Sequence, residues 1–211
     1  MIRVRLTYAK TEELRYTSNL DVHRVWERAL RRARLPLAYS QGFNPQPRIN
    51  QACPLPLGIT SLCEIIEAWF EEELPLEQIV NDLTPALPSG FKLLGVTPID
   101  LQAARVQTLV ESSTYLTLLL DPADTEDLRQ RAQHLLDAPS LPMNRRGKDY
   151  DLRPLIESLR VENGPDGKTQ ILMRLSAREG ATGRPEEVLK ALGLDPSLAR
   201  QERVQLHLKE E

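Results

Sequence analysis

The sequence predicts an α+β protein, and three observations lead to that prediction. Stretches of alternating polar and apolar residues indicate strands, while longer stretches with apolar residues three and four apart indicate helices. These two patterns follow one another along all 211 residues, and they restart about halfway, which favours two domains over one. The hydrophobic fraction of 41% and the charged fraction of 27% are typical of a globular chain with a buried core.

The first half of the chain contains strand and helix patterns in the order β-α-β-β-α-β. That order is characteristic of the ferredoxin-like fold, an antiparallel sheet covered on one face by two helices. The long elements predicted here are a strand at Arg3–Tyr8, a helix from Thr17–Asn19 to Leu35-Pro36, a strand at Cys63–Glu71, a helix at Pro75–Leu83 and a strand at Phe91–Val96.

The first helix has the clearest pattern. Ser18 is among the residues that can cap its start, and Asp21 follows in the first turn, where a carboxylate favours the positive end of the helix dipole. An apolar stripe then recurs at three- and four-residue steps. Its members are Val22, Val25, Trp26, Ala29, Leu30 and Ala33.

The second half repeats the order in degenerate form, so we predict two tandem ferredoxin-like domains, residues 1–100 and 114–211, joined by a linker at 101–113 with a short helix at Leu101–Val106. A turn is predicted at Gly164–Gly167, and 151–159 is ambiguous. The other elements are strands at Tyr115–Leu120, Leu141–Met143, Ile171–Leu175 and Val204–Leu208 and helices at Thr125–Asp137 and Pro185–Leu192.

Charge is segregated along the chain. Residues 1–50 carry ten lysines and arginines against four acidic residues, whereas residues 51–100 carry one against eight. The whole chain has a net charge of -3. A basic segment on a mildly acidic protein indicates a localised anion site rather than bulk coating of nucleic acid.

The far side of the first helix carries arginines and no lysine, and its candidate anion-binding residues are Arg24, Arg28, Arg31 and Arg32. Guanidinium groups match the geometry of phosphates and carboxylates, so this pattern favours directed contacts over diffuse attraction. The alternative is a solvated face, or pairing with the acidic run Glu71–Glu73.

We call residues 39–48 (Tyr-Ser-Gln-Gly-Phe-Asn-Pro-Gln-Pro-Arg) the recognition loop, because its composition predicts a fixed turn that presents recognition groups. Gly42 permits a turn, and Tyr39 and Phe43 offer rings on which a base can stack. The polar candidates are Gln41, Asn44 and Gln46 for base edges and Arg48 for phosphate. The alternative is a structural crossover with Phe43 in the core.

A second basic cluster contains Arg145, Arg146 and Lys148 beside Gly147. Such a loop can close over a phosphate, and it is equally typical of a solvated turn. Both interpretations stay open on sequence alone.

Several functional classes lack their signatures. Cys53 and Cys63 are too few for a disulfide framework or an iron-sulfur cluster and are expected to be reduced thiols. His23, His134 and His207 are scattered, and no phosphate-binding P-loop or Rossmann glycine pattern is present. These features lead us to expect no bound metal. No apolar run reaches the roughly 20 residues that span a bilayer, and the N-terminus does not resemble a signal peptide, so we expect a cytoplasmic protein.

A resemblance to a known family is carried by Leu14–Asp21, Arg28–Ala33, Leu35–Pro45 and Pro54–Gly58, and more weakly by Arg145–Lys148, Asp151–Pro154 and Gly183–Glu187. Together these segments resemble the radical-SAM-linked domain family, a group of uncharacterised function. Members of that family occur fused to, or encoded beside, a radical S-adenosylmethionine (SAM) protein, often near an E/G-type ribonuclease gene. Where the family favours histidine, this chain has Asn19 and Gln46, which keep hydrogen bonding but do not titrate near neutral pH.

The resemblance implies a radical SAM partner, and together with the arginine helix and the recognition loop it favours an accessory protein that binds RNA and presents it to that separate enzyme. This chain lacks the Cys-x-x-x-Cys-x-x-Cys motif of such enzymes, so the iron-sulfur cluster and SAM are expected only in the partner, and this chain is expected to bind no cofactor. Two alternatives stay open. One is a metal-independent ribonuclease that uses Tyr39 or His23, and the other is a protein-docking module with no RNA contact.

Overall fold

The structure is a computed structural model that describes residues 1–164 and 167–209 of the chain. The predicted α+β class is confirmed, because strands and helices alternate along the chain. The chain divides into two compact units, Met1–Val110 and Glu111–Glu211. No helix in the described part is long and apolar enough to cross a lipid bilayer.

The first unit contains four strands and three helices. They are β1 (Ile2–Lys10), α1 (Asn19–Arg32), β2 (Ile49–Gln51), β3 (Thr60–Phe70), α2 (Leu76–Leu83), β4 (Phe91–Ile99) and α3 (Val106–Leu109). Within this unit the strands lie in the order β2-β3-β1-β4, and all three pairings are antiparallel. The five long elements predicted for this half are therefore confirmed, with β2 as an additional short strand.

Helix α1 forms where the local sequence predicts it. The Ser18 hydroxyl caps its start by accepting a hydrogen bond from the N–H of Asp21 at 3.2 Å. The chain leaves the helix through Arg34, whose φ of 55° is the left-handed conformation common just beyond a helix end. The predicted stripe lies in the core or against it: Val22, Val25, Trp26, Ala29, Leu30 and Ala33.

The core of the first unit lies between the sheet and helices α1 and α2. The rings of Tyr8 and Trp26 pack edge to face with centroids 4.7 Å apart, and Phe91 lies 5.3 Å from Tyr8. From α2, Ile79 and Leu83 are both completely buried. Aromatic side chains bury the most apolar surface, so this cluster fixes α1 against β1 and β4.

The polar side of β1 is also covered in part, which alternation alone does not predict. Arg3 is 1% exposed and donates to the fully buried carboxylate of Glu67 at 2.6 Å, and Arg5 donates to the other oxygen of Glu67 at 2.9 Å. Arg3 also donates to the backbone carbonyls of Ala103 and Ala104 at 2.7 and 2.6 Å. The polar segment after β4 is therefore tied to the first unit by a buried arginine.

The second unit contains the remaining strands and helices. They are β5 (Val110–Leu119), α4 (Thr125–Asp137), β6 (Pro142–Arg145), β7 (Lys148–Asp151), β8 (Ile156–Asn163), β9 (Thr169–Arg178), β10 (Ala181–Thr182), α5 (Pro185–Ala191) and β11 (Ala199–Leu208). Strand β9 lies between β5 and β8, β5 also neighbours β11, and β6 and β7 form a separate two-stranded hairpin.

Some predicted boundaries are wrong. The short helix predicted at Leu101–Val106 lies at Val106–Leu109 instead, and β5 begins at Val110 rather than Tyr115. The polar start of β5 belongs to the strand because Ser112 is fully buried and its hydroxyl accepts a hydrogen bond from Arg174 at 2.7 Å. The ambiguous 151–159 segment contains the end of β7 and the start of β8. The turn predicted at Gly164–Gly167 lies partly outside the described residues.

Candidate functional site

The recognition loop is closed at its base by backbone hydrogen bonds. The N–H of Ser40 donates to the carbonyl of Gln46 at 2.8 Å, and the Ser40 hydroxyl accepts from the N–H of Gln46 at 3.0 Å. Two residues further out on each side, the N–H of Arg48 donates to the carbonyl of Ala38 at 2.8 Å. These bonds hold the two sides of the loop together like the strands of a hairpin, so its tip has a defined position.

The tip of the loop, residues 41–45, is exposed along its whole length. Gly42 has a φ of 135°, a conformation that side chains resist, and nothing lies within 4 Å of the place its Cβ would take. Phe43 is 101% exposed, so the crossover alternative in which this ring fills the core is wrong. An aromatic ring held fully in solvent on a closed loop is available to a partner.

Arg48, at the end of the loop, is positioned by an aromatic ring. Its guanidinium carbon lies 5.2 Å from the centroid of the Trp69 ring, and a guanidinium nitrogen lies 3.7 Å from the sulfur of Met1. Beside it runs an open groove of about 280 Å³. The residues that line this groove are Met1, Ala38, Tyr39, Ser40, Gln41, Arg48 and Glu71.

The arginines of α1 divide into two pairs. Arg24 lies 3.4 Å from Asp21 and Arg31 lies 3.9 Å from Glu27, and these exposed contacts contribute little energy. Arg28 and Arg32 form no ion pair among the described residues. They line a second open groove of about 390 Å³ together with Val25 and Pro88.

The alternative in which the arginine face pairs with Glu71–Glu73 has no support in the described part of the chain, since no ion pair there joins the two. Among the described residues, Arg28 and Arg32 are therefore unpaired cations one helical turn apart. Helix positions four residues apart share a face, so both guanidinium groups can contact the same anionic strand.

The second basic cluster has a different environment. Arg145, at the end of β6, donates to Glu187 at 2.7 Å through Nε and also through a terminal nitrogen, and it donates to the carbonyl of Thr182 at 3.0 Å. Its guanidinium lies 4.7 Å from the ring centroid of Tyr150. The bond to Glu187 raises the pKa of Arg145, while burial, followed by the nearby Glu187 carboxylate, raises the pKa of Tyr150.

Arg146 and Gly147 form the turn of the hairpin and Lys148 is the first residue of β7, and all three are exposed. Arg146 and Gly147 both have positive φ, 54° and 81°, as the tight turn between β6 and β7 requires. Of the three predicted basic residues here, only Arg146 and Lys148 are exposed, and Arg145 is engaged by a carboxylate.

Two motif segments hold each other in place. The side chain of Arg15, which is 7% exposed, donates to the carbonyl of Gly58 at 2.7 Å, and the N–H of Gly58 donates back to the carbonyl of Arg15 at 3.1 Å. Gly58 has a φ of 84°, so a glycine is favoured there. These contacts give Leu14–Asp21 and Pro54–Gly58 a structural role.

A small polar cavity beneath the start of α1 has no counterpart among the predicted site residues. Its volume of about 10 Å³ has room for about one water molecule. Lys10 and Glu64, exposed by only 2% and 5%, line it together with Asn19. Lys10 follows Tyr8 by two positions in β1, and residues two apart in a strand share a face. This two-residue periodicity could have predicted that Lys10 is buried. The cavity is too small for a nucleotide.

The geometry thus defines an α+β protein that displays the fully exposed ring of Phe43 on a closed loop, and whose helix α1 carries two arginines without an ion pair among the described residues. The chain belongs to the family described as "Uncharacterized protein conserved in bacteria (DUF2344)", whose model matches residues 3–185. No curated protein matches the chain. The match includes the recognition loop, all of α1 and the basic hairpin.

Proposed function

We propose that this protein is an accessory RNA-binding protein that presents single-stranded RNA to a separate radical SAM enzyme. The observation that carries the RNA part is Phe43, fully exposed at the tip of a loop whose base is closed by hydrogen bonds. Single-stranded nucleic acid is bound by aromatic rings that stack on bases and by cations that follow the backbone. Phe43 supplies the ring, and its fixed loop reduces the entropy lost on binding.

The cations come from α1. Arg28 and Arg32 are exposed and lack an ion pair among the described residues, so an RNA phosphate would not have to displace a carboxylate from them. Tyr39, at the start of the recognition loop, lies five positions after Arg34, just beyond α1. A chain of that length spans at most roughly 18 Å, which a short single strand of RNA can bridge.

The finer fold assignment belongs to the same proposal. We infer that each unit has the ferredoxin-like arrangement. The order β2-β3-β1-β4 with antiparallel pairings supports this for the first unit, and the order β8-β9-β5-β11 supports it for the second. In this arrangement the hairpin of β6 and β7 is an insertion between α4 and β8. The fold alone does not imply RNA binding, so the function depends on the loop and the helix.

The radical SAM partner is proposed from the motif resemblance. This chain has two cysteines ten positions apart, so the iron-sulfur cluster and SAM would be held by the partner. The role left to this chain is to bind and orient the RNA.

The test is RNA crosslinking in the cells that make the protein, followed by sequencing of the crosslinked RNA. The native chain is compared with an Arg28→Ala, Arg32→Ala variant and with a matched Arg105→Ala, Arg160→Ala variant, which removes two other exposed arginines. We expect a defined RNA with the native chain and the matched control and its loss in the α1 variant.

Three outcomes would count against the proposal. No enrichment over background would overturn RNA binding and favour a protein-docking module, in which α1 meets an acidic partner. Equal loss of crosslinked RNA in both double variants would show that binding depends on the total positive charge and not on the arginines of α1. Cleavage of bound RNA by the purified chain, abolished by Tyr39→Phe or His23→Ala, would favour the ribonuclease alternative over an accessory role.

A further inference from the structure

The groove at the base of the recognition loop contains two opposite charges that are not paired. Arg48 and Glu71 are both exposed and both line the groove, and neither forms an ion pair within the described part of the chain. Their charged groups therefore line a shared space without pairing with each other. Opposite charges held apart in one groove leave a donor and an acceptor free for a ligand between them.

The backbone on both sides of this groove is fixed. The N–H of Glu71 donates to the carbonyl of Pro36 at 2.8 Å, and the N–H of Trp69 donates to the carbonyl of Arg48 at 3.1 Å. The guanidinium of Arg48 is also held over the Trp69 ring. The guanidinium of Arg48 and the backbone that carries Glu71 thus start from defined positions, which favours recognition of a rigid planar ligand.

A third group in the groove is an aromatic ring. Tyr39 is 38% exposed and lines the same space, as does Gln41. The groove volume of about 280 Å³ lies just below the roughly 300–1,000 Å³ usual for small-molecule pockets. One nucleobase is a ligand of suitable size, shape and chemistry for such a groove.

The four RNA bases differ in the hydrogen-bonding edge that they present. Guanine alone carries two adjacent donors on its Watson–Crick edge, the ring N1–H and the 2-amino group, which a single carboxylate can accept together. Its O6 and N7 atoms are acceptors that an arginine reads in a bidentate manner. Adenine, cytosine and uracil do not combine both features.

We propose that this groove binds one guanine base of the RNA, with Glu71 accepting from its Watson–Crick edge, Arg48 donating to its acceptor edge and Tyr39 stacking on its face. This inference rests on the proposed RNA-binding function. Stacking on Phe43 and phosphate contacts with α1 do not distinguish one base from another, whereas the groove would add a preference for guanine. Glu71 then contributes to recognition although RNA is itself an anion.

The test measures the binding of short fluorescent oligouridines that carry one central guanosine, inosine, adenosine or cytidine. Inosine is guanosine without the 2-amino group, so it isolates one of the two proposed hydrogen bonds. We expect the native chain to prefer guanosine over adenosine by about tenfold, with inosine in between. The variant Glu71→Gln should lose this preference.

The matched control is Glu72→Gln, which removes the same charge from the neighbouring exposed residue. Any general gain in RNA affinity from the lost negative charge should appear in both variants, whereas only Glu71→Gln should abolish the preference for guanosine. Equal binding of all four oligonucleotides, or preference for cytidine, would overturn the guanine inference and leave the RNA-binding proposal standing. No binding of any oligonucleotide would overturn both.

Discussion

The recognition loop and the basic hairpin of β6 and β7 have similar compositions and different environments. Each combines a glycine turn, an aromatic residue and an arginine. In the loop, Phe43 is fully exposed and Arg48 lacks a carboxylate partner among the described residues, whereas in the hairpin Arg145 is bound by Glu187 and covers Tyr150. A basic aromatic turn can therefore present groups to a ligand or anchor itself to its own domain, depending on whether a carboxylate lies opposite.

The largest expected effect is on stability, in the hairpin. Arg145→Ala leaves Glu187, which is 9% exposed, without its main partner, so we expect the free energy of unfolding to fall by about 2–3 kcal/mol. Urea denaturation measures the change. Arg146→Ala, one residue along and exposed, should change it by less than about 0.5 kcal/mol. Equal changes in the free energy of unfolding for the two substitutions would show that Arg145 does not anchor the hairpin through Glu187.

The next effect is on binding, at the loop. Phe43→Ala should weaken binding of a short single-stranded RNA by roughly 1–3 kcal/mol, because one base loses its stacking partner. The free energy of unfolding should change by less than about 0.5 kcal/mol, since the ring touches no core residue. Fluorescence anisotropy gives the affinity.

The matched control for that substitution is Leu94→Ala, which removes another exposed apolar side chain, 55% accessible on β4. It should leave RNA affinity unchanged. Weaker binding in both variants would indicate a general loss of surface hydrophobicity rather than stacking on a particular ring.

A smaller effect is expected at the turn of the loop. Gly42→Ala places a side chain on a residue with a φ of 135°, so the loop should be strained by about 1 kcal/mol and RNA affinity should decrease with it. The control is Gly95→Ala, at a glycine of ordinary φ where nothing lies within 4 Å of the added Cβ. It should change neither the stability nor the RNA affinity appreciably. An unchanged affinity in Gly42→Ala would show that the loop conformation is not required for binding.

The smallest effect concerns pH. In the second unit, burial and the nearby charge of Arg174 lower the pKa of His207 below its ordinary value of 6.5, although Glu157 acts in the opposite direction. The unfolded chain takes up the proton first, so the free energy of unfolding should decrease as the pH falls below about 6.5. Urea denaturation at pH 7.5 and 5.5 tests this, with His207→Gln expected to reduce the pH dependence. A gain in stability on acidification that depends on His207 would contradict it.

The recognition loop should behave differently, because it carries Gln46 and no histidine. RNA affinity of the native chain should not change through titration of the loop between pH 6 and 8. A large change in affinity over that range would indicate that a titrating group elsewhere takes part in binding.

The candidate site was predictable to a different degree in each region. Gly42 and the two loop prolines indicate a turn from local chemistry alone, and the turn is present. The exposure of Phe43 followed from the loop's composition, but burial in the core stayed open as an alternative because a phenylalanine is more often buried than exposed, and the structure decided between them. The cavity at Lys10 and Glu64 was missed because charged residues are rarely buried, so sequence analysis assigns them to the surface.

By itself the sequence determined the local elements of this protein: the α+β class, the start of α1 at its Ser18 cap, the apolar stripe of that helix and the long strands of the first unit. These depend on the spacing of residues a few positions apart. Only the tertiary structure decided which arginines are free. Arg3 meets Glu67 across 64 positions and Arg145 meets Glu187 across 42, whereas Arg28 and Arg32 meet no carboxylate in the described chain. Such pairings depend on which strands and helices the fold brings together, and residue type alone does not carry that information.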